Sequence, residues 1–188
     1  MTTHPQPRST SGRKARPLNG PRLEELALAY VARFATSAGK LEAYLGRKLR
    51  ERGWEDERGP DVQAVVARYV AAGYVDDEAW ARSKSGSLLR RGFGMRRISH
   101  ELGAAGIAGD LRDAVRPALG EQRRAALALA RKRKFGPFGA ELPDRPRREK
   151  QIAAMLRAGH ALDSARELVN ASSQEAADEW AAQGDEDI

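Results

Sequence analysis

The side chains able to do chemistry in this sequence are mainly arginines and lysines, gathered in four clusters: Arg47, Lys48, Arg50 and Arg52; Arg90, Arg91, Arg96 and Arg97; Arg131, Lys132, Arg133 and Lys134; and Arg145, Arg147, Arg148 and Lys150. Guanidinium groups form forked, charge-assisted bonds to carboxylates and phosphates, and lysines act toward the same groups as point charges. The chemistry is recognition of an anionic surface. A run of cations at a helix C-terminus also offsets the helix dipole, for about 0.3–1 kcal/mol each. That bland role suits the first cluster as well as binding does. The second and third are denser than dipole compensation needs, so Arg90, Arg91, Arg96, Arg97, Arg131, Lys132, Arg133 and Lys134 are the candidate partner-binding residues.

Other chemistry has less support. Asp76 and Asp77 could hold a metal or act as an acid–base pair, but adjacent residues at a helix start point about 100° apart, and no histidine lies near them in sequence. Both are expected to cap a helix, accepting from free backbone N–H groups at its positive end. His4, His100 and His160 are far apart and cysteine is absent, which removes thiol chemistry and leaves no metal-ligand pattern. His160 reads as a packed histidine at the surface edge, and Trp54 and Trp80 as core anchors. Gly92-Phe93-Gly94 lacks the preceding strand and glycine spacing of a phosphate loop. It is expected to be a tight interhelix turn with Phe93 in the core. No catalytic residue, metal or cofactor is expected.

The elements that position these groups are helices. Leu23, Leu26, Ala27, Tyr30, Val31 and Phe34 form one apolar stripe. Thr36 and Ser37 offer caps for a second helix with Leu41, Leu45 and Leu49, stopped by Gly53. Asp61 caps a third, with Val62, Val65, Val66, Tyr69 and Val70, ended by Gly73. Helices over 77–91, 95–105 and 110–119 follow, the last disturbed by Pro117. A final set is expected over 121–134, 148–158 and 162–171, after a linker containing Pro137, Pro143 and Pro146 that forbids helix. No stretch alternates apolar and polar residues long enough to make a strand.

Gly53, Gly106 and Gly159 stand 53 residues apart, each preceded four residues earlier by an apolar residue (Leu49, Leu102, Met155). The same offset pairs Val62, Val115 and Leu168. The expected fold is therefore all-α, an elongated tandem array of three three-helix repeats over 23–75, 76–120 and 121–171. A disordered basic tail (1–22) and an acidic C-terminal tail (172–188) would flank it. The 188 residues carry a net charge of +7, and positions 23–173 hold 28 Lys/Arg against 20 Asp/Glu, so the basic character belongs to the body. A nucleic acid or an acidic protein surface is the kind of partner this balance suits. No apolar run approaches the ~18 residues of a membrane span, and the basic N-terminus has no apolar stretch behind it. A cytoplasmic, monomeric protein is expected.

Residues 73–107 carry a more specific signal. The Gly73-Tyr74-Val75-Asp76-Asp77 step, Trp80-Ala81, the basic approach to Gly92-Phe93-Gly94, Arg96-Arg97-Ile98, Glu101-Leu102 and Gly106-Ile107 recur in order. Together they resemble the signature of the RecX family of recombinase regulators. The resemblance extends over about 23–171 and is weakest in the last unit. It implies a non-enzymatic regulator in DNA recombination, repair and the SOS response. Such a protein binds RecA-type recombinase filaments on single-stranded DNA and restrains their growth, strand exchange and co-protease activity. The alternative from the residues alone is a basic helical DNA-binding module acting without recombinase, with 77–106 as a helix-turn-helix. An enzyme using Asp76 or Asp77 is a third reading with almost nothing behind it.

Overall fold

The computed structural model describes residues 16–185, and among these it is all-α: ten α-helices, two short 3-10 turns and one isolated β-bridge. α1 (Gly20–Arg33), α2 (Ala38–Arg52) and α3 (Val62–Ala71) come first. Asn19, Ser37 and Asp61 each accept from a backbone N–H in the first turn of the helix they precede, as short polar residues do at N-caps. Leu23, Ala27, Leu41, Leu45, Val65, Val66 and Val75 close one apolar cluster. Leu18 belongs to it too, fully buried, with its N–H donating to the Gly53 carbonyl at 3.0 Å and its carbonyl accepting from Glu55 at 2.9 Å. The ordered body thus begins before Leu23. Residues 16–22 of the expected tail are placed, because Leu18 buries an isobutyl group and satisfies its backbone at once, and residues 1–15 lie outside those described.

α4 (Asp77–Arg90), α5 (Met95–Ala104) and α6 (Gly109–Ala114) surround a second cluster of Ala81, Leu88, Ile98, Leu102, Ala105, Ile107 and Val115. α6 stops short of the expected 119, because Pro117 supplies no N–H and disfavours helical backbone at Arg116. α7 (Leu119–Arg133), α8 (Arg145–Arg157) and α9 (Leu162–Asn170) enclose a third cluster, centred on Ala126, Ala130, Met155, Ala165 and Leu168. α8 starts three residues before expectation. Pro146 sits in its first turn behind the Asp144 cap, where the missing N–H costs nothing.

The acidic segment from 172 also differs from expectation. It forms α10 (Gln174–Ala182), capped by Ser173 and packed along α7, with Ala177 and Ala181 buried in the third cluster. Arg123 donates to the Trp180 carbonyl at 3.1 Å and lies over the Trp180 ring. Small alanines at i and i+4 let the helix lie close, which a scan for large apolar residues overlooks.

The clusters meet at two backbone junctions. At the first, Ser37 Oγ donates to the Ala105 carbonyl at 2.6 Å, and the Ala38 N–H donates to Asp77 at 2.8 Å. A Cβ on Gly39 would lie 2.8 Å from the Ala105 oxygen. At the second, the Gly94 N–H donates to the Ala158 carbonyl at 2.9 Å and that of Arg96 to Gly159 at 3.1 Å.

These contacts divide the roles of the two aspartates. Asp76 caps its own helix, accepting from Ala79 at 2.9 Å, whereas Asp77 reaches across to the start of α2. The expected loss for Asp77→Ala is about 0.5–2 kcal/mol, as for a cap, with Asp77→Asn restoring much of it because an amide oxygen also accepts. Urea melts of the three proteins check this. Asp77→Ala melting like the parent would show that the cross-junction bond contributes nothing.

Candidate functional site

All eight candidate residues are exposed, but they are not equivalent. Arg90 and Arg91 end α4, and Arg96 and Arg97 open α5. The turn between them is tight because Gly92 adopts φ +80°, open to glycine with little strain. Phe93 is half-buried against the second cluster, and the Arg91 and Arg97 guanidinium carbons lie 5.1 and 5.9 Å from its ring centroid. The ring's negative face holds both cations in one region. Arg97 also pairs with Glu101 at 2.7 Å, so part of its charge is met within the molecule. Arg90, Arg91 and Arg96 form no ion pair with any described residue.

The turn backs directly onto the last unit. A Cβ on Gly92 would stand 3.1 Å from the Leu129 Cβ, on the helix whose end carries the third cluster. Arg90 lines a groove of about 260 Å³ together with Glu121, Arg124 and Ala128 of α7. Arg90 therefore shares a groove with α7, the helix that ends in the third cluster.

In the third cluster Arg131 has an acidic partner within the molecule. Its Nη2 donates to both Asp178 carboxylate oxygens at 2.6 Å, and its guanidinium lies over Phe138. It fastens α10 to α7. Lys132, Arg133 and Lys134 make no ion pair with described residues. Lys134 closes α7 with φ +55°. A glycine would sit in this left-handed conformation without the roughly 1–2 kcal/mol that a Cβ adds, so the lysine keeps its charge there at a cost in backbone strain.

The remaining clusters lie elsewhere or are occupied. Arg47 and Lys48 share Glu51, at 3.7 and 2.6 Å, and lie on α2. In the fourth cluster Arg145 pairs with Glu149, and Arg148 donates to the Pro143 carbonyl. Among the described residues no group of three His, Asp or Glu side chains could hold a metal, and no helix is long and apolar enough to cross a membrane.

His160 plays a part its sequence context does not reveal. It is 3% exposed, and its Nε2–H donates to the Gly92 carbonyl at 2.9 Å, beneath the arginine-bearing turn. Burial pushes its pKa below the ordinary value, while the Gly92 bond acts the other way and is the weaker influence. Its place after Gly159 matches that of Trp54 and Ile107, which pack within their own clusters, so the position alone carries no sign of a cross-unit bond.

Similar proteins fall into one group. The regulatory protein RecX of Myxococcus xanthus (strain DK1622) is 31% identical over 161 residues, which span 80% of this chain and 85% of that one. The regulatory protein RecX of Mycobacterium sp. (strain JLS) is 38% identical over 111 residues, 57% of each chain. The crystal structure of RecX from Lactobacillus salivarius has the same fold, with a TM-score of 0.62 over 79% of this chain and 93% of that one at 16% identity. No family model matches the chain.

The buried imidazole predicts an acid-side loss of stability. As pH falls below about 6.5, the ordinary histidine value from which His160 is lowered, the unfolded chain binds a proton that the folded chain refuses. Stability therefore declines until the depressed folded pKa is reached, and this group adds no further slope below it. Urea midpoints measured from pH 8 to 5 should show the decline, with a shallower slope in His160→Gln, whose amide can still donate to Gly92. Equal slopes would remove His160 as the cause.

Proposed function

The chain belongs to the RecX family of regulatory proteins, and from that premise we propose that it binds RecA-type recombinase filaments through the basic surface around the 92–94 turn and restrains them. The observation that carries this reading is a turn bearing Arg90, Arg91 and Arg96, which form no ion pair within the described chain, seated through Gly92 on the helix that ends in Lys132, Arg133 and Lys134. An acidic surface on a protein filament presents repeated carboxylates, which exposed arginines bind through forked hydrogen bonds. Contacts from two successive units to neighbouring protomers would add avidity without a catalytic step. Filament growth, strand exchange and co-protease activity would all fall as the site is filled, in a cytoplasmic setting of DNA recombination and repair.

The rival helix-turn-helix reading meets a geometric objection. A recognition helix presents its N-terminal residues to base edges. Here the Gly94 and Arg96 N–H groups at the start of α5 are bonded to the Ala158 and Gly159 carbonyls, so the last unit sits against that end.

The test combines Arg91→Glu and Arg97→Glu, the two residues sharing Phe93. Titration of preformed recombinase filaments on single-stranded DNA, with ATP hydrolysis and strand exchange followed, should show weaker binding and relief of inhibition by an order of magnitude or more. The melting temperature should barely change, because exposed ion pairs contribute about 0–1 kcal/mol. Arg50→Glu with Arg52→Glu should have a smaller effect. Parental potency in the Arg91/Arg97 variant would sink this surface as the filament contact.

A further inference from the structure

A second surface lies on α1 and α2, away from the turn. Tyr30, Arg33 and Phe34 repeat on α1 the spacing of Tyr44, Arg47 and Lys48 on α2, an aromatic residue followed by groups three and four positions on. Those offsets share one helix face. Tyr30 and Tyr44 stack across the helix pair, centroids 4.2 Å apart and planes at 18°, and Phe34 tilts against Tyr30 at 5.3 Å. Arg33 lies 5.4 Å from the Phe34 centroid, and Arg47 and Lys48 lie 5.6 and 5.9 Å from that of Tyr44. The groove lined by Ala29, Tyr30, Arg33, Phe34, Tyr44 and Arg47 has a volume of about 450 Å³ and no acidic residue in its wall.

Helix packing accounts for part of this. Tyr30 and Tyr44 are half-buried against the first apolar cluster. Phe34 is not among the residues packed on that cluster: it follows the last turn of α1, is 49% exposed, and tilts against Tyr30. Neither core packing nor helix capping requires an exposed phenylalanine with an arginine over it. Nearby Glu51 offsets Arg47 and Lys48 together, so the patch keeps a positive excess.

We propose that this patch binds single-stranded nucleic acid, with a base stacked on Phe34 and the flanking phosphates held by Arg33 and Arg47. Flat ring faces alternating with cations match a strand that alternates flat bases with anionic phosphates. An acidic peptide would use the cations but leave Phe34 unexplained. The site is separate from the proposed filament surface, so either could fail alone.

The test uses the full-length protein without recombinase. Fluorescence anisotropy follows its binding to a labelled oligothymidylate, to an abasic oligonucleotide of equal length and to polyglutamate. The oligothymidylate should bind tightest, and Phe34→Ala should weaken it about five-fold or more, the scale of one lost base stack. Phe34→Trp should restore binding, whereas Arg33→Glu with Arg47→Glu should weaken it and flatten its salt dependence. Circular dichroism melts of each variant confirm folding. Photocrosslinking from 5-bromouracil should label a peptide containing Phe34 or Tyr44. Equal binding of the abasic strand or of polyglutamate, unchanged affinity in Phe34→Ala, or crosslinks only elsewhere would each overturn the proposal.

Discussion

The arrangement of the three units depends on two junctions where backbone of one meets backbone of the next with no room for a side chain. Gly39 lies against Ala105 and Gly106, and Gly94 lies against Gly159 and His160. Each apolar cluster is served mainly by its own helices, and directed hydrogen bonds cross between them: Ser37 and Ala38 at one junction, Gly94, Arg96 and His160 at the other. Hydrogen bonds are short and angle-dependent, so they set the relative position of units more narrowly than apolar contact would.

This constraint reaches the surface. The bonds from Gly94 and Arg96 to the 158–159 turn hold the start of α5, and the His160 imidazole holds the Gly92 carbonyl from below. The turn is therefore fixed at both ends, with Arg91 and Arg97 gathered around Phe93. A cluster fixed in this way loses less conformational freedom on binding than arginines on a free loop. It also stands beside α7, so the basic surface belongs to two units at once.

α10 changes the charge balance of that surface. Its Asp178 takes up Arg131, and its alanines fill the third cluster. What the linear sequence presents as four consecutive cations, 131–134, becomes one structural ion pair followed by three charges turned to solvent. The acidic segment is both part of the fold and a partial neutraliser of the basic face.

Much of the helical architecture was legible in the sequence, because a helix writes its buried face as a 3.6-residue period and its ends as local chemistry. Leu41 and Leu45 in steps of four, Asp61 and Asp76 as caps, and the glycines at 53, 73 and 106 are instructions read within a few residues. The basic clusters were visible for the same reason. The links that span long separations were not. Asp77 and Ser37 look like two ordinary caps, but Asp77 accepts from Ala38 and Ser37 donates to Ala105, 39 and 68 residues away. The contact of Gly92 with Leu129, the pairing of Arg131 with Asp178 and the bond from His160 to Gly92 likewise have no local signature. A local period reports which face of an element is buried but not which element covers it, and that choice is made only when the helices pack.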